Sequence, residues 1–159
     1  MNLQIIRTRH PPEPHVALLL GLLREAGVQT DLESLRARLA SLPKEDRLLI
    51  GLDGEHVAGF AHLRVSQDLT TGDAAEVVAI LVAKAYRRRG VGRRLIAAAE
   101  TWALESGRSR LVLRTDVVRT DAHAFFIALG YEEAATTLEF VRDLERVRQA
   151  DRPTRPPRE

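Results

Sequence analysis

The feature that most constrains the fold is a change of apolar periodicity across a glycine-containing turn. Val77 to Val82 is an uninterrupted apolar run, which is typical of a short strand buried on both sides in the middle of a sheet. Past Gly92 the apolar residues recur at helical spacing, namely Leu95, Ile96, Ala99, Trp102 and Ala103. The segment therefore predicts a core strand, a tight turn and an amphipathic helix with Trp102 in the core.

The turn between strand and helix is basic and reads Arg87-Arg88-Arg89-Gly90-Val91-Gly92. A helix N-terminus presents unpaired amides and roughly half a positive charge, so it can hold a phosphate. Glycines let a ligand approach the backbone, and arginines add charge-assisted donors. A solvated surface run is the other interpretation of these arginines, but two glycines at a strand-to-helix turn favour phosphate binding.

Two common phosphate-binding motifs do not fit this turn. No Gly-Lys-Ser/Thr follows it, and Ile96 stands near the place where the dinucleotide fingerprint has its third glycine. What remains is the pattern Arg87-x-x-Gly90-x-Gly92 between an apolar strand and an amphipathic helix.

This pattern resembles the acyl-coenzyme-A-binding motif of the GNAT superfamily of N-acetyltransferases. The segment from Arg119 to Tyr131 is also similar to that family, because it has an aromatic pair, Phe125-Phe126, followed by Gly130-Tyr131. The resemblance covers roughly Leu3 to Leu144. It implies an α/β (α+β) fold with a mixed, mostly antiparallel twisted sheet, splayed between two adjacent parallel strands and flanked by helices on both faces. It also implies an acetyl-CoA-dependent enzyme that moves the acetyl group directly to an amine in a ternary complex.

The resemblance implies the cofactor site as well. The strands at Val77 to Val82 and Leu111 to Leu113 would splay apart, and the pantetheine arm would bond to backbone in the gap. An N–H near Leu81 would point at the thioester carbonyl. The implied cofactor-binding residues are Leu81, Val82, Ala83, Arg87, Arg88, Arg89, Gly90, Val91, Gly92, Arg93 and Phe126.

Phe126 departs from the family pattern, which usually has a tyrosine there to protonate the leaving thiolate. Water, Tyr131 or another group could replace that acid. We favour the view that no acid is needed, because a thiolate of pKa about 8.5 leaves tolerably near neutral pH. A catalytically silent acyl-CoA-binding sensor of the same fold is the alternative function.

Glu76 is the candidate base, since some family members carry a glutamate at that place in the strand. The other interpretation is a solvated strand start. Asp116 could instead attract a cationic substrate. The acceptor is an amine whose identity the sequence does not give: a polyamine, an aminoglycoside-like amine, an amino acid, or a protein N-terminus or lysine. The Phe126 helix and Pro11 to Leu42 are expected to line its side of the site.

The remaining elements follow from caps, turns and periodicity. A first strand is predicted at Leu3 to Thr8, a helix from Pro12 or Pro14 to Gly27, and a second helix from its N-cap Asp31 to Pro43. Asp53-Gly54 predicts a hairpin turn between strands at Arg47 to Leu52 and His56 to Val65, with Val57, Ala61, Leu63 and Val65 on one face. Thr120 or Asp121 starts a helix that ends at Gly130, and a last strand ends near Asp143.

Composition narrows the function classes. The chain has 159 residues, which fits one domain over residues 1–145 and an Arg/Pro-rich tail, 146–159, expected to be disordered. Without cysteine there is no acyl-cysteine route, so transfer must be direct. A net charge of +2 and 4% aromatic content argue against nucleic acid.

Further expectations concern metal, location and assembly. His62 and His123 have no ligand partner at metal-binding spacing, so no metal is expected. There is no apolar run of about 18 or more residues and no signal-like start, which predicts a cytoplasmic protein without a membrane partner. A homodimer is expected because many members of the family that this chain resembles form dimers.

Overall fold

The computed structural model describes residues 1–115 and 120–150 of the chain. Its elements in chain order are β1 (Leu3–Thr8), α1 (Glu13–Glu25), α2 (Leu32–Ala40), β2 (Arg47–Asp53), β3 (His56–Ser66), β4 (Ala74–Val82), a short 3-10 turn (Lys84–Tyr86), α3 (Val91–Glu105), β5 (Leu111–Leu113), α4 (Thr120–Ala128) and α5 (Leu144–Ala150). The predicted first strand, the two N-terminal helices, the hairpin and the helix after the glycine turn are confirmed.

The five strands form one sheet in the order β1-β2-β3-β4-β5. The pairs β1/β2, β2/β3 and β3/β4 are antiparallel, and β4/β5 is parallel. The sheet is therefore mixed and mostly antiparallel, with its parallel pair at β4 and β5, as predicted.

Helices α1 and α2 cover one face of the sheet. The buried cluster there combines helix residues with sheet residues: Val16, Leu19, Leu20, Leu22, Leu35, Leu48, Ile50 and Phe60. Helix α2 begins as predicted, because the Asp31 carboxylate accepts a hydrogen bond from the Ser34 amide at 2.7 Å.

Helix α3 packs against the opposite face. Gly59 of β3 lies so close to this helix that an added Cβ would be 3.2 Å from the side chains of both Val91 and Leu95. Leu95, Ile96 and Ala99 are buried along the helix, and Trp102 is buried as predicted. The sheet thus has helices on both faces.

The chain divides into two compact units, the second of which contains α4 and α5. The predicted single domain over residues 1–145 stays a prediction. Within the ranges 1–115 and 120–150, no helix has both the length and the apolar character needed to cross a bilayer.

Three predictions about the elements were wrong. Strand β4 is buried from Ala74 to Val77, but Val78 is exposed and the residues after it are half-buried, because β5 pairs with only the first part of β4. Residues 131–143 form no strand, and Leu138, Phe140 and Val141 there are more than 80% exposed, at 81%, 88% and 83%. Residues 146–150 of the predicted disordered tail belong to α5, and the rest of that tail lies outside the described residues.

The prediction that Val57, Ala61, Leu63 and Val65 lie on one face of β3 was also wrong in part. Val57 packs against the α1/α2 cluster, whereas Gly59, two residues on, faces α3. The register shifts there, since Gly51 pairs with Gly59 but Leu52 pairs with Val57. Ala58 is therefore the extra residue of a β-bulge, which turns Val57 to the other face.

Candidate functional site

A gap opens between β4 and β5. The two strands pair only where Ala75, Glu76 and Val77 lie opposite Leu111, Val112 and Leu113. Beyond Val77, strand β4 continues to Val82 with no strand on that side among the described residues. The predicted splay between the parallel strands is therefore present, and it leaves backbone groups of β4 available to a ligand.

A β-bulge lies where the gap begins. Leu63 of β3 pairs with Val77, and His62 pairs with Ala79, so Val78 has no partner opposite it. A bulge bends its strand and re-aims the groups that follow. Here it separates the paired part of β4 from the splayed part.

The alternation of the β3/β4 ladder decides which amides face the gap. The Ala83 N–H donates to the Ala58 carbonyl at 2.8 Å, so Ala83 points toward β3. Antiparallel ladders alternate between bonded and non-bonded pairs, which places the backbone of Leu81 toward β3 as well. The backbone groups directed into the gap belong to Ile80 and Val82. Of the predicted cofactor-binding residues Leu81, Val82 and Ala83, Val82 has this orientation, whereas the backbone of Leu81 and Ala83 points toward β3; their contacts with the cofactor stay predictions.

No side chain among the described residues caps the N-terminus of α3. Gly90 is the N-cap with φ 82°, a left-handed conformation that glycine adopts readily. Across the cap, the Arg94 N–H donates to the Gly90 carbonyl at 3.1 Å. The amides of Val91, Gly92 and Arg93 therefore precede the helical ladder and have no acceptor within it. This is the arrangement that a phosphate can satisfy.

The turn before α3 is strained and anchored. Arg88 has φ 59°, which is rare for a residue with a side chain and points to a functional constraint. The Arg89 guanidinium lies over the Tyr86 ring at 5.2 Å, and the Tyr86 hydroxyl donates to the Asp53 carboxylate at 3.1 Å. The turn is thus tied to the β2/β3 hairpin through one tyrosine.

These contacts shift two pKa values. Hydrogen bonds from the Asn2 amide and then the Tyr86 hydroxyl lower the pKa of Asp53 below its ordinary value. Desolvation, followed by the bond to Asp53, raises the pKa of Tyr86. Both shifts favour the state in which Asp53 is charged and Tyr86 is neutral.

Comparison with known proteins agrees with this geometry. Residues 16–131 match the model of the acetyltransferase (GNAT) family. An aminoglycoside N(6')-acetyltransferase type 1 of Stenotrophomonas maltophilia is 34% identical over 132 residues, which is 80% of this chain and 84% of that protein. The chain belongs to the GNAT acetyltransferase family.

Two further similarities support this assignment. A probable N-acetyltransferase 14 of Mus musculus is 37% identical over 110 residues, covering 62% of this chain and 52% of that protein. The structure of AAC(6')-Iy in complex with the bisubstrate analogue CoA-S-monomethyl-acetylneamine has the same fold, with a TM-score of 0.78, 21% identity, and coverage of 90% of this chain and 99% of that one. This GNAT protein is an acetyl-CoA-dependent N-acetyltransferase, and the silent sensor is not the favoured alternative.

Glu76 lies on β4 opposite Arg64, in the part that is paired with β5. The residue is 6% exposed, so it is not the solvated strand start considered above. One carboxylate oxygen accepts from Arg64 at 3.0 Å and the other from Arg114 at 2.5 Å. A carboxylate held by two guanidinium groups is poorly placed to take a proton, so this geometry weighs against the predicted base, which stays a prediction.

A histidine and an aspartate that sequence reasoning did not connect form a second candidate. His62 Nε2 lies 2.7 Å from the Asp46 carboxylate, which is buried. In the neutral tautomer that donates from Nε2 to Asp46, Nδ1 is the ring acceptor. His62 pairs with Ala79, directly beside the bulge. The sequence alone does not reveal this pair, because Asp46 becomes the neighbour of His62 only through the register of β2 and β3.

Beneath α1 and α2 lies a cavity of about 210 Å³. Its lining comes from both helices and from the sheet: Leu19, Leu23, Leu35, Arg38, Leu39, Leu42, Leu48, Phe60, His62 and Ala79. Part of the predicted acceptor side, Pro11 to Leu42, therefore forms a cavity with His62 and Ala79 in its wall.

The remaining predicted residues lie elsewhere. Phe126 is buried in the second unit, where its ring meets Phe125 at 5.1 Å and Tyr131 at 6.0 Å, both edge to face. Its role at the cofactor stays a prediction. Asp116 lies outside the described residues. Over the described ranges no group of three potential metal ligands occurs, and the expectation of no metal stays a prediction.

Proposed function

We propose that the first unit binds acetyl-CoA across the N-terminus of α3 and the β4 gap, and transfers the acetyl group directly to a primary amine of a small molecule. The observation that carries this proposal is the position of two sets of backbone amides, at the start of α3 and along the splayed part of β4, that have no acceptor among the described residues. Val91, Gly92 and Arg93 offer amides for a diphosphate, and Ile80 and Val82 offer backbone groups for an extended pantetheine arm.

The pantetheine arm would bind as an added strand along the splayed part of β4. Its amides would take the place that β5 leaves open beyond Val77. The thioester would then lie near the bulge at Val78. A backbone N–H directed into the gap would stabilise the oxyanion, and one such donor in a dry site is worth about 3 to 4 kcal/mol.

Transfer would then proceed directly between the two bound substrates, within the ternary complex. The acceptor ammonium first loses a proton, and its nitrogen attacks the thioester carbon. The new C–N bond gives a tetrahedral oxyanion, which collapses as the C–S bond breaks and the electron pair leaves with the CoA thiolate. The nitrogen then loses its second proton, which the thiolate or solvent takes up. Holding the two reactants together lowers the barrier by roughly 7 to 11 kcal/mol.

His62 is our candidate for the group that takes the proton. It lies at the wall of the cavity under α1 and α2, beside Ala79, and Asp46 fixes its tautomer. Glu76 is the competing candidate on the same face of the sheet. His62 is favoured because both carboxylate oxygens of Glu76 already accept hydrogen bonds from guanidinium groups.

The acceptor is an amine, and the names of the relatives suggest where to begin. Two of the similar proteins are aminoglycoside N(6')-acetyltransferases, from Stenotrophomonas maltophilia and Serratia marcescens. An aminoglycoside amino group is therefore the first acceptor to be tested on this chain.

Release of free thiol from acetyl-CoA, measured with a panel of amines, tests the proposal. We expect amine-dependent release well above the rate without amine. Tight CoA binding with no release for any amine would instead support the silent sensor.

Cytoplasmic location and homodimer formation belong to the same proposal. Neither is needed for the chemistry, because the phosphate-binding amides, the β4 gap and the cavity all lie within the first unit.

A further inference from the structure

We propose that the cavity beneath α1 and α2 is the acceptor subsite, and that it takes an amine with a compact apolar group and an anionic group. This inference rests on the proposed function and narrows its acceptor. It disfavours a polycationic aminosugar.

The lining of the cavity is the first reason. Six leucine side chains and one phenylalanine ring surround it. They come from α1, from α2 and the segment that follows it, and from the sheet: Leu19, Leu23, Leu35, Leu39, Leu42, Leu48 and Phe60. A sugar ring placed there would leave hydroxyl and ammonium groups without partners, and such burial is costly. An aliphatic side chain would replace water at no such cost.

The charge at the cavity is the second reason. None of the described residues that line it carries a carboxylate. Arg38 lines it and has no side-chain ion pair or hydrogen bond among the described residues. The Asp46 carboxylate, which contacts His62 at 2.7 Å, is buried and does not line the cavity.

The neighbouring sheet surface has the same sign of charge. Arg64 follows His62 by two residues on β3, so both side chains project from one face. Arg64 and Arg114 share the single carboxylate of Glu76, so these three groups together carry one positive charge in excess, whereas the Asp46 carboxylate is buried against His62. A site of this polarity repels a polycation and attracts a carboxylate, which an arginine can bind in a bidentate manner.

Position is the third reason. The cavity wall includes Ala79, the first residue after the bulge, and His62, its partner on β3. An acceptor whose apolar group fills the cavity would thus present its amine beside the candidate base and the start of the gap. The carboxylate would extend toward Arg38.

The experiment compares four acceptors at the level of kcat/KM, using thiol release. They are L-leucine, L-leucinamide, 3-methylbutylamine and an aminoglycoside. Because leucinamide and 3-methylbutylamine lack the carboxylate, we expect leucine to be the best acceptor of the four. Arg38→Gln should lower kcat/KM for leucine by about tenfold or more, and leave that for 3-methylbutylamine unchanged.

Two matched controls accompany the variants. Arg36→Gln removes a guanidinium from the same helix, where it pairs with Glu13 outside the cavity lining, and should change nothing. Leu23→Phe narrows the cavity and should raise KM for leucine without changing KM for acetyl-CoA. Leu18→Phe adds the same volume at an exposed position of α1 and should be neutral.

The outcomes separate this inference from the proposed function. An aminoglycoside as the best acceptor, with no effect of Arg38→Gln, overturns the inference and leaves the acetyltransferase intact. If no amine releases thiol, the proposed function fails, and calorimetric titration of leucine into the protein–CoA complex still decides the subsite. Binding that Arg38→Gln weakens supports it, and no binding overturns it.

Discussion

At the residue scale, substitution of Arg88, whose backbone is strained, tests the prediction that the turn before α3 binds phosphate. A residue with a side chain at φ 59° costs about 1 kcal/mol relative to glycine. Arg88→Gly should therefore raise the free energy of unfolding by about 1 kcal/mol, and weaken CoA binding several-fold because a guanidinium is lost. Chemical denaturation and calorimetry measure the two effects.

Arg88→Ala is the matched control for this prediction. It removes the same guanidinium but keeps a Cβ at positive φ, so CoA affinity should fall equally without the gain in stability. Unchanged CoA affinity in both variants would mean that Arg88 is only a solvated side chain.

His62 and Glu76 compete for the role of proton acceptor, and parallel variants distinguish them. We expect His62→Gln to lower kcat by about 100-fold with KM for acetyl-CoA unchanged, which is typical of losing a general base. Asp46→Asn should lower kcat by less, since it only orients His62. Glu76→Gln should mainly reduce stability, by about 1 to 2 kcal/mol, because Arg64 and Arg114 remain partly solvated.

If Glu76→Gln lowers kcat more than His62→Gln does, Glu76 is the proton acceptor. The sequence could suggest Glu76, because it lies in a strand next to the motif. It could not suggest the His62–Asp46 pair, whose members meet only when the β2/β3 register is known.

At the element scale, the absence of a side chain at Gly59 allows β3 and β4 to approach closely. A Cβ there would lie 2.7 Å from the Leu81 carbonyl oxygen, which is backbone and cannot rotate away. Gly59→Ala should therefore lower the free energy of unfolding by about 2 kcal/mol and displace the splayed part of β4. Thermal or chemical unfolding measures the change.

Gly21→Ala provides the control, because nothing lies within 4 Å of the Cβ that would be added. Alanine within a helix should stabilise by up to about 1 kcal/mol. Equal stability of the two variants would contradict the close approach of β3, β4 and α3.

Most elements could be predicted from the sequence because caps, turns and periodicity are local signals. Asp31 and its helix, the Asp53-Gly54 turn and the change of period after Gly92 are of this kind. Bulges at Ala58 and Val78 could not be predicted, since they depend on pairing between strands. For the same reason the sequence could not show that the backbone of Leu81 and Ala83, two residues that the resemblance implies at the cofactor, points toward β3.

At the scale of the whole molecule, the exposed residues of the second unit bear on the predicted homodimer. Leu138 and Phe140 are large apolar residues at 81% and 88% exposure, which is unusual for a monomer surface. If a second copy covers them, Leu138→Ser with Phe140→Ser should convert a dimer to a monomer in sedimentation experiments. A monomeric parent chain would contradict the homodimer.

The central claim is that the open N-terminus of α3 binds the diphosphate of CoA. Gly92→Glu places a negative charge among those amides, where it also suits the helix dipole, so the fold should remain stable. Gly21→Glu makes the same change in open space on α1. The direct measurement is the calorimetric Kd for CoA of both variants. We predict a Kd at least about tenfold higher for Gly92→Glu and unchanged for Gly21→Glu, and equal values for the two would contradict the claim.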